Sequence, residues 1–241
     1  MAELNKNRTV GELVSENSRR AQVFETLGID YCCGGDKPLE QACQNRGLAV
    51  EDVLKQLQAV DAESPKDEQD WRKTSMTELA DHIEQTHHVY LRKALPRLTE
   101  LSLKVRNAHG ENHPEVLDVE QVFLGLKAEL ESHMMKEEQI LFPLIRRLEL
   151  SDTAQSFHCG SVNNPISVME HEHDNAGQAL ERLRELTNGY TLPEDGCNTF
   201  RALLDGLEEL ERDLHTHIHK ENNILFPRAS ERESQLAEAS S

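Results

Sequence analysis

The 241-residue chain is predicted to be all-α, a four-helix bundle preceded by a small helical domain. Three observations carry this expectation. Aromatic residues make up only 4% of the chain while charged residues make up 29%, a balance that suits long helices with solvated faces better than sandwiches or barrels. From Trp71 onward, apolar residues recur at helical spacing with few interruptions. Finally, the segment HMMKEEQILFPL at 133–144 returns, lightly edited, as HIHKENNILFPR at 217–228. Each copy sets a His and a Glu four residues apart, which a helix of about 3.6 residues per turn stacks on one face.

At the N-terminus, Thr9 can cap a helix whose apolar positions Val10, Leu13 and Val14 precede Ala21, Phe24 and Leu27, with Gly28 as its stop. The sequence DYCCGG follows at 30–35. Pro38 starts a short helix to Arg46, ended by Gly47, and Val50–Val60 forms a third. The stretch DAESPKDEQD at 61–70 is charged, contains Pro65 and lacks apolar periodicity, so it marks the domain boundary. The expected division is an N-terminal domain at 1–62, a linker at 63–74, the bundle at 75–230 and a polar tail at 231–241. Four long helices fill the bundle: Ser75 to Asn107 with a bend at Pro96, Pro114 to Leu148, Pro165 to Thr187, and Pro193 to the Pro227 region. With short connections they pack most simply up-down-up-down. Residues 151–164 read as a mobile surface loop.

Several function classes are excluded. A formal charge of −18 with no basic stripe argues against nucleic acid and against an anionic membrane surface. The N-terminal MAELNKNRTV lacks the apolar core of a signal peptide, and no apolar run approaches about 18 residues, so a soluble cytoplasmic protein is expected. Five irregularly spaced cysteines (Cys32, Cys33, Cys43, Cys159 and Cys197) make a poor disulfide framework and are read as reduced thiols.

The repeat can be extended by arithmetic. The two HxxxE motifs are offset by 84 (217 − 133), and His88 and His173 are offset by 85, each followed by Leu at +7 and +10. From lone His to paired His the gap is 45 in one half and 44 in the other, as a duplicated αα-hairpin would leave. The candidate metal ligands are therefore His88, His133, Glu137, His173, His217 and Glu221. Imidazole and carboxylate without thiolate suit iron, manganese or zinc. If both glutamates bridge two ions, each ion gains two imidazoles and two carboxylate oxygens. With a bridging oxo or hydroxo group, an octahedral ion keeps one place for a small ligand such as O2 or NO, which favours iron over a closed zinc site. A ferritin-like alternative, Glu84-x-x-His87 with Glu170-x-x-His173, has the less well matched offset of 86. His82, His87, His171, His215 and His219 are expected at the solvent, and His109 in a loop or as a supplementary ligand. Glu129 and Glu172 are candidates for lining a polar route to the metals.

The HMMKEEQILFP and ENNILFPRA segments, PISVMEHEHDNAG at 165–177 and DYCCGG resemble the repair-of-iron-centres di-iron proteins, from Gly11 to Ala229. The resemblance implies a hemerythrin-like C-terminal domain with two non-haem iron ions held by the four His and two bridging Glu named above. It also implies repair of iron–sulfur clusters damaged by nitric oxide or peroxide, through iron delivery or NO handling, with damaged iron–sulfur proteins as partners. A non-enzymatic repair factor is expected, a homodimer is allowed, and an O2/NO carrier or sensor and a di-iron NO reductase are the alternatives. Cys32 and Cys33, on a turn expected to be exposed, could bind metal, accept a nitrosyl group or undergo reversible oxidation. The loop at 151–164 and the tail after Ala229 look longer than the family's.

Overall fold

A computed structural model describes residues 4–63 and 69–239. The middle of the expected linker, 64–68, and the last two residues of the expected tail lie outside the described residues. Among those described there is no strand, only isolated bridges at Thr9–Pro38 and Phe157–Gly160. The helices are α1 (Val10–Glu16), α2 (Arg20–Leu27), α3 (Leu39–Asn45), α4 (Val50–Glu63), α5 (Met76–Ile83), α6 (Val89–His109), α7 (Glu115–Lys136), α8 (Phe142–Glu149), α9 (Asn163–Leu186), α10 (Asn198–Lys220) and α11 (Phe226–Ala239). Three π-turns splice pairs of them into longer rods: Glu84–His88 joins α5 to α6, Glu137–Leu141 joins α7 to α8, and Glu221–Leu225 joins α10 to α11.

The chain forms two compact units. One comprises Met1–Leu79, Ile145–Ser156 and His215–Ser241, the other Ala80–Leu144 and Phe157–Leu214. Three of the four divisions fall inside α5, α8 and α10, and the fourth falls in the loop between Ser156 and Phe157.

The second unit has a core of stacked aliphatic side chains. Leu91, Leu95 and Leu98 of α6 meet Phe123, Leu126 and Leu130 of α7, Leu180 and Leu183 of α9, and Leu203, Leu207, Leu210 and Leu214 of α10. Their spacing of three and four is the helical stripe read from sequence, and each fully buried side chain stabilises by about 1.5–3 kcal/mol. Residues 157–164 are better anchored than a mobile loop. Phe157 and Val162 are buried, and Asn164 Nδ2 donates to the Cys159 carbonyl at 2.6 Å.

In the first unit, Val10, Leu13, Phe24, Tyr31, Leu39 and Leu57 pack in a core that also contains Ile218 of the C-terminal rod. Thr9 caps α1 as expected: its Oγ accepts from the Glu12 N–H and Glu12 returns a bond to the Thr9 N–H, both at 3.2 Å. The expected single helix to Leu27 is two, because Asn17 adopts an extended conformation (φ −150°) between them. The break lets Arg20 turn inward, where it is 2% exposed and donates to the Leu13 carbonyl and to Asp61. Gly28 and Gly47 end α2 and the α3 turn at φ 65° and 68°, where a Cβ would be strained.

Pro227 does not end the C-terminal helix. The π-turn before it directs the Phe226 N–H to the Glu221 carbonyl five residues back, shifting the ladder where proline offers no donor. The helix continues to Ala239, burying Ala229 and Leu236, so the described part of the expected tail is helical. Pro143 sits in the same place after Glu137–Leu141, where Phe142 N–H donates to the Glu137 carbonyl. Among the described residues no helix is long and apolar enough to cross a membrane.

Candidate metal centre

In the second unit, four of the six candidate ligands come together. His88 ends the first π-turn, His133 lies one turn before the end of α7, Glu137 opens the second π-turn and His173 sits on the buried stripe of α9. All are within 4% of full burial. Glu137 Oε2 is 3.2 Å from His88 Nε2 and its Oε1 is 3.3 Å from His133 Nε2. One carboxylate therefore turns each of its two oxygens to a different imidazole. His173 Nε2 lies 3.1 Å from His133 Nε2. Ligand atoms of His133, Glu137 and His173 all lie within 4.8 Å of one another.

The outward nitrogens of two of these rings are held by carboxylates. His88 Nδ1 is 2.7 Å from Glu138, which Arg92 grips with two contacts of 2.6 and 2.7 Å. His133 Nδ1 is 2.9 Å from Glu172, which is paired with Lys136. Burial pushes both carboxyls up, but the cations and imidazoles outweigh it and hold Glu138 and Glu172 below their usual range. Such partners leave Nε2 of each ring as the lone-pair nitrogen facing Glu137. The Phe142 ring stacks 5.9 Å from that of His88.

In the first unit, His217 and Glu221 repeat the HxxxE pair. Both are buried, and His217 Nε2 is 3.1 Å from Glu221 Oε1. Two residues on, Asn223 Nδ2 donates to the Cys32 carbonyl at 3.0 Å. The DYCCGG loop is organised by Asp30, whose Oδ1 accepts from the N–H groups of Cys32 and Cys33 at 3.0 Å each and whose Oδ2 accepts from Gly34 at 2.8 Å. A Cβ on Gly35 would lie 2.1 Å from Asn223 Oδ1, so glycine is what lets the loop meet the rod. Asp30, Cys32 and Cys33 form a second group whose ligand atoms could share an ion.

The expected exposure of the thiol pair is corrected for Cys32, which is 5% exposed, while Cys33 is half-buried. The neighbouring Cys33 sulfur, burial and Asp30 all push the Cys32 thiol well above its ordinary value. The expected exposure of His87 and His219 is corrected as well, since both are buried. His87 Nδ1 meets Asp213 at 2.8 Å, and His219 lies between the Tyr31 carbonyl and Ser15 Oγ, each at 3.3 Å. With His87 turned to Asp213 and Glu170 exposed, the ferritin-like alternative is not assembled in this unit. Glu129 is exposed and Glu172 is the partner of His133. Sequence reasoning missed Glu138 and Arg92. The available signal was a carboxylate beside a ligand position with a cation on the facing helix.

The buried donors fit a metal. Imidazole and carboxylate are borderline and hard ligands, and a fully buried carboxylate is costly unless cations or donors compensate it.

A hemerythrin HHE cation binding domain model matches residues 79–229, and a domain of unknown function, DUF542, matches residues 6–61. The chain belongs to the hemerythrin HHE cation-binding family. Within it, the chain is similar to curated relatives named iron-sulfur cluster repair protein YtfE. That of Pectobacterium atrosepticum is 38% identical, that of Enterobacter sp. (strain 638) 40% and that of Escherichia coli O8 39%. Each alignment covers 93% of this chain and 97% of the relative.

Proposed function

We propose that His88, His133, Glu137, His173, His217 and Glu221 hold two non-haem iron ions in one oxo- or hydroxo-bridged centre, and that the protein repairs iron–sulfur clusters damaged by nitrosative or oxidative stress. The observation that carries this reading is Glu137, whose two oxygens face two different imidazoles in a buried setting, the disposition of a bridging carboxylate. The repeated HxxxE gives Glu221 the same role beside His217. The relatives' names supply the biological task, and the 97% coverage of those relatives supports carrying it to the whole chain.

Bound iron would supply releasable metal and a site for a small ligand such as NO. The protein's own residues do the rest. Glu138 and Glu172 orient His88 and His133, and the donor side chains are themselves buried. Asn223 ties the Cys32–Cys33 loop to the turn that carries Glu221, which supports a part for these thiols in handling NO or iron. We assign the thiol-bearing part to residues 1–62 and the metal-binding part to 75–230, acting in the cytoplasm on damaged iron–sulfur proteins.

The test is metal analysis with cluster recovery. Purified protein loaded anaerobically should carry about two irons per chain, and Glu137→Ala should lose the dinuclear optical and magnetic signature. Iron-loaded wild type should restore activity to an NO-damaged iron–sulfur protein, and Glu137→Ala should not. One ion per chain, or zinc alone, would overturn the centre. Two irons with no cluster recovery would overturn the repair role and leave a carrier.

A further inference from the structure

Cys197 differs from the other cysteines of the chain in being exposed. It directly precedes α10, and its carbonyl accepts from the Arg201 N–H at 3.0 Å, which makes it the N-cap residue of a 23-residue helix. Its sulfur stands where a capping Ser or Asp oxygen usually stands, facing the N–H groups of Thr199 and Phe200. Facing it is His109, the last residue of α6, whose Nε2 lies 3.2 Å from Cys197 Sγ. The imidazole is held in place by the ring of Phe200 at 5.3 Å.

Two helix ends therefore converge with opposite preferences. The start of a helix stabilises an anion and the end of a helix a cation. A thiol at the first and an imidazole at the second favour transfer of the thiol proton to the ring. Beside the pair, His113 lies 2.8 Å from Asp195 and 3.0 Å from Glu115, and the Asp195 carboxylate also interacts with His109.

We propose that Cys197 and His109 form a thiolate–imidazolium pair that makes Cys197 the peroxide-reactive thiol of this protein, a modification site separate from the metal ligands. The thiolate sulfur attacks one oxygen of a hydroperoxide. An S–O bond forms, the O–O bond breaks, the sulfur is oxidised by two electrons to a sulfenic acid and the peroxide is reduced. For hydrogen peroxide the leaving hydroxide takes the proton held by His109 and departs as water. The direction of titration agrees: the His109 contact, followed by the Phe200 and Thr199 N–H groups, brings the Cys197 thiol down to about 7. Cys32 and Cys43 are buried and pushed the other way.

The experiment uses the full chain. Alkylation by iodoacetamide is followed at each cysteine by peptide mass spectrometry from pH 5 to pH 9, in wild type and in His109→Gln. The wild-type rate at Cys197 should be half-maximal near pH 7 and should shift upward by about one unit in the variant, slowing reaction at low pH roughly tenfold. A wild-type midpoint at the ordinary thiol value of about 8.5, or an identical profile in a folded His109→Gln, would overturn the pair. If the variant fails to fold, the wild-type midpoint decides alone. In parallel, hydrogen peroxide with dimedone should give its adduct first at Cys197, and no adduct there would overturn the peroxide chemistry.

Discussion

Glu137 and Glu138 are adjacent, yet they meet different environments. Glu137 is wholly buried with an imidazole at each oxygen, while Glu138 reaches the edge of the unit and meets His88 from the opposite side of the ring together with Arg92. A surface ion pair such as Arg92–Glu138 is worth little for stability, about 0–1 kcal/mol. Its value lies in orienting a ligand. Glu138→Gln should therefore leave the unfolding temperature nearly unchanged while weakening iron binding by about 10–100-fold, the usual loss when such a partner is removed. Chelator competition measures the affinity. Glu172→Gln should behave likewise, since Glu172 holds His133, and Glu129→Gln, at an exposed position, should have no effect. Wild-type affinity in Glu138→Gln would reduce this carboxylate to a surface partner of Arg92.

At the scale of elements, the π-turns explain both what the sequence revealed and what it hid. The i,i+4 spacing of His133 with Glu137 and of His217 with Glu221 was legible, because a ligand pair on one helix leaves a simple period. The π-turns were not. A single widened turn leaves the hydrophobic stripe almost unchanged, and proline after it can read as a helix end when it is tolerated inside a rod, as at Pro227. The α1–α2 break was hidden because nothing in the apolar pattern records the inward turn of Arg20. The junction of the DYCCGG loop with the Glu221–Leu225 turn was also beyond sequence, since it depends on two glycines making room for one amide. A Cβ at Gly11 or Gly35 would lie 2.2 or 2.1 Å from Asn223 Oδ1. Gly35→Ala should thus displace Asn223 and destabilise by about 1–3 kcal/mol, as overpacking does. Adding Asn223→Ala should recover part of that loss. The coupling is read from a thermal-denaturation double-mutant cycle, and strict additivity would mean that the two residues do not constrain each other.

For the molecule as a whole, charge sets how stability should depend on pH. The −18 formal charge repels itself at pH 7, so acidification at first relieves strain. Against this stand carboxylates held by arginines in the first unit. Glu16 meets Arg8 at 2.6 Å and Arg20 at 3.3 Å, Asp61 meets Arg20 at 2.6 Å, and Asp70 meets Arg72 at 2.8 Å. For Glu16 and Asp61 burial acts upward but the guanidinium partners prevail, and for Asp70 the Arg72 contact leads. All three lie below the ordinary values of 4.5 for Glu and 3.8 for Asp. A group with a lowered folded pKa stabilises fully above its unfolded value and loses that contribution as pH falls through the folded one. Stability should therefore decline gently from about pH 6.5, because burial lowers the folded pKa of His219 to about 4 and the unfolded chain takes up that proton first, and fall more steeply below about 4.5. His113, raised by Asp195 and then Glu115, acts in the opposite sense: its contribution is present below the unfolded value of 6.5 and fades as pH rises through its higher folded value. The decisive variant is Arg20→Ala. Arg20 is 2% exposed, and removing it leaves Asp61 without its guanidinium and the Leu13 carbonyl without that donor, at a cost of about 3–5 kcal/mol near neutral pH. The same loss lets Asp61 and Glu16 titrate nearer their ordinary values, so the variant should unfold at a lower temperature at pH 7 but with a shallower decline below pH 5. Thermal denaturation between pH 3 and pH 8 at constant ionic strength checks both. A parallel downward shift of the whole curve would show that Arg20 contributes packing alone and that the acid sensitivity arises elsewhere.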